Sequence, residues 1–315
     1  MKNIIGIDIG SVALSVAMLD KKGAVVKSFY RFHRGAITAT LRAILNDIDI
    51  RRVGGIAMTQ SGPDILKSAE RFDTQIAMIA AVKKYHDPVG SILFVGGENF
   101  GLITFNKKGE YERFRSNSSC AAGTGSFLDQ QAKRLQLKSI DTLSTVAFCN
   151  KINTPKIATR CAVFAKTDLI HAQQEGYSVG QICDGLCEGL AKNVIDTLIP
   201  DSNIHPPLIL AGGVSMNSAV VKHFSALLQT EPVIGENSHL YGAIGAALLL
   251  MEQSAPAPVD AKSWDDLFVQ ETREKIYGYP PLKLALSDYP DFSAESSFLY
   301  KPVNNAAGIE VDIYR

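Results

Sequence analysis

The first hundred residues alternate between short apolar runs and amphipathic stretches. Apolar runs at 4–9 and 11–19, parted by a glycine, predict two strands, and 24–30 predicts a third after the turn Asp20-Lys21-Lys22-Gly23. Residues 37–47 carry apolar positions at helical spacing and 53–58 reads as a strand. Residues 64–72 read as a short helix, and 75–85 as a further helix closed by Asp87-Pro88. A strand, a glycine turn and a strand then recur at 91–95, Gly96-Gly97 and 100–105, followed by the turn Asn106-Lys107-Lys108-Gly109. Beyond Gly123 the helical period dominates: 125–135, 163–175, 179–198, 218–228 and the Gly/Ala-rich 241–252. One strand at 208–210 opens onto Ala211-Gly212-Gly213.

Two of these stretches match at an offset of 86 residues. Asp8-Ile9-Gly10 falls on Phe94-Val95-Gly96, and Lys21-Lys22-Gly23 falls on Lys107-Lys108-Gly109. The shared letters are few, so two readings stand: coincidence, or duplication of a β-hairpin that holds a phosphate. At Ser254 the composition shifts. Ala255-Pro256-Ala257-Pro258 has the make-up of a linker, and residues 255–315 hold six of the thirteen prolines and the only tryptophan, Trp264. This predicts an extended, aromatic-anchored tail, since some sixty such residues bury too little to fold alone.

Composition narrows the function classes. Thirty-two basic and 32 acidic residues leave no surplus positive charge, so a basic nucleic-acid binder is excluded. With 46% hydrophobic and 20% charged residues, the chain is not a disordered one. Its apolar beginning superficially resembles a signal peptide, yet Asp8 interrupts it and Gly6 and Gly10 punctuate it, which fits a buried strand entering a turn. No uncharged apolar run of about eighteen residues predicts a membrane span. The five cysteines, at 120, 149, 161, 183 and 187, are too few and odd in number for a disulfide framework. Free thiols in a reducing, cytoplasmic compartment are expected.

Candidate chemistry sits on the glycine turns. Asp8-Ile9-Gly10-Ser11, Val95-Gly96-Gly97-Glu98 and Leu210-Ala211-Gly212-Gly213 each follow an apolar strand. Glycine lets the backbone approach a phosphate, and successive N–H groups cradle the anion. Three in order point to nucleotide binding; three ordinary strand-end glycines are the alternative. A fourth element, Cys120-Ala121-Ala122-Gly123-Thr124-Gly125-Ser126, opens a helix whose N-terminus favours a phosphate, a thiolate or an anionic cluster. Cys161, after Arg160, precedes another helix. Two thiolates do not hold an iron–sulfur cube, which needs four, but a twofold dimer supplies four. Two unrelated structural cysteines remain the other reading. Cys183 and Cys187, four apart and continued by Leu190 and Val194, form a core stripe. Cys149 has no evident partner, and the six histidines, His33, His171 and His239 among them, show no zinc-site spacing.

Together these motifs give the chain a family resemblance over roughly residues 1–252. Asn117-Ser118-Ser119-Cys120-Ala121-Ala122-Gly123-Thr124-Gly125-Ser126-Phe127-Leu128-Asp129, Cys161-Ala162-Val163-Phe164-Ala165, Leu210-Ala211-Gly212-Gly213-Val214 and Gly242-Ala243-Ile244-Gly245-Ala246-Ala247 carry it. The sequence resembles the ATP-dependent activators of 2-hydroxyacyl-CoA dehydratases and the related benzoyl-CoA reductase ATPase subunits. The tail resembles a region of very long activase-like chains.

The resemblance implies an α/β fold of the acetate kinase, sugar kinase, Hsp70 and actin type, a duplicated ribonuclease H-like fold with an extended C-terminal tail. Its halves are expected at 1–115 and 116–252, with linker and tail at 253–315. It implies a homodimer with one [4Fe–4S] cluster held by Cys120 and Cys161 of each subunit. It further implies ATP or ADP with Mg2+, and an acyl-CoA dehydratase- or reductase-like protein partner that receives a low-potential electron. Nucleotide contacts are expected from Gly10, Ser11, Gly96, Gly97, Gly123, Thr124, Gly125, Gly212, Gly213 and Asn217, and catalytic carboxylates from Asp8 and Glu98.

The chain departs from the family pattern at the phosphate motifs. Val12 and Ser15 stand where the family has threonine and lysine, and Phe94 stands where it has an aspartate. The internal repeat shows the same loss, because Phe94 falls opposite Asp8. A family glutamine and aspartate fall at Glu98 and Asn99, and Glu98 is the nearest replacement carboxylate. Phenylalanine neither holds magnesium nor positions water. A second expectation follows: a nucleotide- and cluster-binding scaffold that does not hydrolyse ATP. A small-molecule kinase of the same fold is a third; it leaves the Cys120–Gly125 motif unexplained and has no evident sugar-site acid beyond Asp8, Asp64 and Asp168.

Overall fold

A computed structural model describes residues 2–117, 124–158, 162–199, 204–253, 259, 261–269, 298–300 and 309–311. The compact unit spanning Met1–Val269 is built on two sheets. The first uses β1 (Asn3–Ile9), β2 (Ala13–Leu19) and β3 (Val25–Phe32); helix α1 (Ile37–Asn46) then leads to β4 (Val53–Thr59) and β5 (Ala69–Phe72). Its order is β3-β2-β1-β4-β5, antiparallel from β1 to β3 and parallel from β1 to β5. Helix α2 (Thr74–Tyr85) leads to the second sheet: β6 (Ser91–Val95), β7 (Phe100–Phe105) and β8 (Tyr111–Ser116), joined by β9 (Leu208–Ala211) in the order β8-β7-β6-β9. Between β8 and β9 lie α3 (Gly125–Arg134), α4 (Ile140–Phe148), α5 (Ala162–Gln174) and α6 (Val179–Leu198); α7 (Ser218–Leu228) and α8 (Tyr241–Glu252) follow β9.

The layering follows from where apolar surface must go. All seven residues of β2 and all six of β7 are buried, as strands covered on both faces require. The outer face of the first sheet packs on Leu41, Ile44 and Leu45 of α1. Its inner face meets α2 and α8, which also cover Ile92, Ile103 and Ile209 of the second sheet. The far face of the second sheet buries against α3, α4, α5, α6 and α7, where Cys183, Cys187, Leu190 and Val194 form the expected stripe. Helix α8 therefore returns from the end of this chain region to sit between the two sheets. Two glycines let it in: a side chain at Gly6 would overlap the carbonyl of Ala243, and one at Gly245 the carbonyl of Ala77.

The 86-residue repeat is structural. Ile9 pairs with Leu14 and Ala17 with Ser28; 86 positions on, Val95 pairs with Phe100 and Ile103 with Phe114. Both β2–β3 and β7–β8 slip register at the same place, after Met18 and after Thr104. Both hairpins close with a glycine at positive φ, Gly23 at 77° and Gly109 at 74°. The turn-opening Asp20 and Asn106 each accept backbone N–H bonds two and four residues on.

Other expectations change. Residues 64–72 form no helix: Ala69–Phe72 is an extended strand pairing in parallel with Ile56–Thr59, and Leu66 bridges Phe268. The open edge of β4 and the buried slot for Leu66 outweigh local helical spacing. Strand β8 and helix α4 carry signals too weak to have been picked out. Trp264 opens a short 3-10 turn, Trp264–Leu267, that packs on α1, with its indole N–H donating to Ile48 O at 2.8 Å. Arg42 of α1 pairs with Asp265 and lies 4.3 Å from the Phe268 ring centroid.

The second unit, Gln270–Arg315, contains one described antiparallel pair, β10 (Phe298–Tyr300) with β11 (Ile309–Val311).

Candidate nucleotide cleft

One cleft of about 400 Å3 opens on the ends of β1, β6 and β9. Asp8, Gly10, Ser11, Gly96, Gly97, Glu98, Gly125, Gly212, Gly213 and Asn217 all line it. Thr124 does not: it is fully buried behind the start of α3, with its hydroxyl 3.2 Å from that of Ser126. Gly123, Cys120 and Cys161 lie outside the described residues.

Asp8 stands at the end of β1, and its Oδ1 accepts from Thr59 Oγ1 at 2.6 Å and from Ser61 Oγ at 3.0 Å. Desolvation raises its pKa above the ordinary carboxylate value, and the two hydroxyls only partly oppose this. Any side chain at Gly242, in the first turn of α8, would press on the Asp8 carboxylate, with its Cβ at 2.6 Å from Oδ2.

The first two turns are copies. Gly10 N–H donates to Ala13 O at 3.0 Å, and Gly96 N–H donates to Asn99 O at 2.8 Å. They abut so closely that a Cβ on Gly97 would lie 2.5 Å from Val12 Cγ2. Among the described residues, the N–H groups of Ser11, Val12, Gly97 and Glu98 find no acceptor, which leaves them for an anion. Helix α3 hangs from the second turn: Gly125 N–H donates to Gly96 O and Ser126 N–H to Gly97 O, each at 2.9 Å. The third turn uses Gly212 at φ 86°, where a Cβ would come 2.5 Å from Val95 O. Asn217 caps α7 through Oδ1, which accepts from Ala219 and Val220 at 3.1 Å.

Phe94 occupies the place matching Asp8 and is opposed by Gly101 in the ladder as Asp8 is by Ser15. Its ring stacks on Phe114, centroids 6.2 Å apart. Ser15 is buried and its hydroxyl turns to His239 O at 3.4 Å. Glu98 is exposed at the rim.

Among the wall residues that sequence reasoning missed are Tyr30, Asp129, Asp141 and His239. Tyr30, pressed on Gly213, has its hydroxyl pushed up to about 12 by burial and by the charges of Asp129 and Asp8. Burial, helped by Asp141, raises Asp129, while Lys133 opposes the shift. Asp129 ends the motif that begins at Asn117, so helical spacing from Gly125 onward was the available signal. Tyr30 carried none, because only the fold brings β3 to this wall. Asp64 and Asp168 stay away from the cleft: Asp64 is exposed near Arg71, and Asp168 accepts from Ala158 N–H at 2.7 Å. Among the described residues no Lys or Arg lines the cleft, and no group of three His, Cys, Asp or Glu is arranged for a metal. No helix among them is long and apolar enough to cross a membrane.

Comparison with known proteins agrees with this geometry. The 2-hydroxyisocaproyl-CoA dehydratase activator of Clostridioides difficile is 26% identical over 268 residues, covering 82% of this chain and 98% of the relative. The activator of lactoyl-CoA dehydratase from Anaerotignum propionicum is 28% identical, covering 79% and 97%. The solved structure of the activator of the 2-hydroxyisocaproyl-CoA dehydratase from Clostridium difficile with bound ADPNP superposes with a TM-score of 0.70 at 22% identity. It covers 79% of this chain and 94% of that one. The fold is thus the duplicated actin-like one expected from the sequence. The family profile described as the BadF/BadG/BcrA/BcrD ATPase family matches residues 5–249, and the chain belongs to that family.

Proposed function

We propose that the protein is a nucleotide-driven activator: an ATP-binding homodimer that passes a low-potential electron to a 2-hydroxyacyl-CoA dehydratase- or acyl-CoA reductase-like partner. The observation that carries the reading is the convergence of three glycine turns on one cleft, with α3 suspended from the second turn by Gly125 and Ser126. The free N–H groups of Ser11, Val12, Gly97 and Glu98 fit phosphate oxygens, and Gly212 and Gly213 let the backbone close on the ligand. Asp8, with Glu98 as the second carboxylate, would hold the magnesium ion that accompanies the phosphates and would orient water. With four acidic side chains and no Lys or Arg on the described wall, a bound cation would supply the counter-charge for the phosphates.

Cys120 and Cys161 precede α3 and α5 in the sequence, and a thiolate near a helix N-terminus is stabilised by it. Two such residues from each subunit of a dimer would match the four-thiolate requirement of a [4Fe–4S] cluster, which when bound would supply the electron. The segment that bears Cys120 is followed in the sequence by Gly125 and Ser126, which bond to the Gly96-Gly97 turn. A reducing cytoplasm suits both.

Phe94 favours a second reading, a scaffold that binds nucleotide and cluster without hydrolysis. Anaerobic purification tests both. Iron and sulfide at one cluster per dimer, with the colour lost on oxidation, supports the activator or the scaffold, and a steady ATPase rate selects the activator. Loss of cluster in both Cys120→Ala and Cys161→Ala is expected; a full cluster in either overturns the assignment.

A further inference from the structure

Two side chains outside the expected set reach the backs of the two repeated turns. His33, the first residue after β3, is 6% exposed. Its Nε2 lies 3.0 Å from Gly10 O, and its backbone N–H donates to Val12 O at 3.1 Å. Gly35 N–H donates to Nδ1 at 3.1 Å, so Nδ1 is the acceptor and Nε2 carries the proton. Both ring nitrogens are bonded to backbone. Asn117, the first residue after β8, does the same for the second turn: Oδ1 accepts from Phe100 N–H at 2.9 Å, and Nδ2 donates to Glu98 O at 3.1 Å.

A trans peptide unit points its C=O and the next N–H in opposite directions. Holding Gly10 O from behind therefore turns Ser11 N–H forward, and holding Glu98 O turns Asn99 N–H forward. Neither N–H has an acceptor among the described residues. The carbonyls of Gly96 and Gly97 are held from behind in the same way by Gly125 and Ser126.

We propose that His33 and Asn117 are positioning residues that set the peptide planes of the two phosphate turns. This rests on the nucleotide reading above and goes beyond it, since neither side chain lines the cleft. The two are not aligned by the 86-residue repeat. They are equivalent only in place, each capping the third strand of its half.

The test compares His33→Ala, His33→Gln, Asn117→Ala and Asn117→Asp for Mg2+·ADP affinity and for melting without nucleotide. Each Ala variant is expected to weaken binding about tenfold. His33→Gln, which keeps an amide donor for Gly10 O, restores most of it. Asn117→Asp, which keeps the acceptor and loses the donor, behaves as Asn117→Ala. Wild-type affinity in folded His33→Ala and Asn117→Ala overturns the proposal. Nitrogen NMR of the His33 ring gives a second readout that needs no nucleotide and no Ala variant: a proton on Nε2 bonded to Gly10 O is expected, and a ring with its proton on Nδ1 alone overturns the proposal. Failure of the wild type to bind Mg2+·ADP sinks the nucleotide reading itself, and the ring tautomer still decides whether His33 sets the first turn.

Discussion

Gly125 N–H donates to the carbonyl of Gly96 at 2.9 Å, so the first residue of α3 is bonded to the second glycine turn. The contact ties the helix that follows the Cys120 segment to the wall where phosphates are proposed to lie. Movement of either element strains a pair of backbone bonds rather than a side-chain contact.

The abutment of the two turns gives the first prediction. A methyl on Gly97 would sit 2.5 Å from Val12 Cγ2, so Gly97→Ala must push the first turn away from the second. Nucleotide affinity is expected to fall about tenfold or more, with a loss of stability near 1–3 kcal/mol. Calorimetric titration together with thermal melting checks this. Unchanged affinity would mean that the turns do not act as one site.

Phe94→Asp tests the departure from the family pattern. It removes a stacked contact with Phe114, a cost of about 1 kcal/mol, and adds the cost of placing a carboxyl in a partly buried site. Its expected gain is ATP hydrolysis above the wild-type rate, measured as phosphate release with Mg2+. A variant that folds and shows no increase would indicate that Phe94 is not what limits turnover.

Asp8 predicts opposite pH trends for stability and binding. Its pKa is raised by desolvation, so the folded state prefers the neutral acid. The stabilising contribution is complete below the ordinary carboxylate value and is lost as pH rises through the raised one. Asp129 acts in the same direction. Asp8→Asn, which keeps an acceptor for Thr59 and Ser61, is expected to melt higher than wild type at neutral pH, with the difference vanishing in acid. Mg2+-dependent nucleotide affinity should fall as wild type is acidified and be low at every pH in the variant. Melting and binding measured across the same pH series check both trends.

The seat of α8 gives a stability prediction. A methyl on Gly245 would overlap the carbonyl of Ala77, forcing α8 and α2 apart between the two sheets. Gly245→Ala is expected to destabilise the protein by about 3 kcal/mol. Denaturant unfolding measures it, and a loss below about 1 kcal/mol would show that the helix pair shifts freely.

Much of the fold was readable along the chain because its signals are local. Alternation of apolar runs and turns announced β1, β2, β3, β6 and β7, and the 86-residue match at Asp8 and Phe94 survives in the pairing down to the register slips. Periodicity failed where neighbours decided. Ala69–Phe72 is a strand because β4 offers an open parallel edge, and Tyr111–Ser116 lies on an edge with mostly exposed residues that give no apolar signature. The turn residues of the cleft were legible because glycine is required there. Tyr30, Asp129, Asp141 and His239 were not, because long-range packing alone brings them to one wall.

By itself, then, the sequence determined the repeated hairpin, the glycine turns, the loss of a carboxylate at Phe94 and the family to which these belong, all properties of residues near one another in the chain. Only the tertiary structure decided that α8 returns between the sheets, that the two turns touch through Val12 and Gly97, that α3 hangs from Gly96, and that His33 and Asn117 hold the turns from behind. Those relations join residues tens to hundreds of positions apart. They form because buried backbone polar groups must find partners once the sheets have closed on each other.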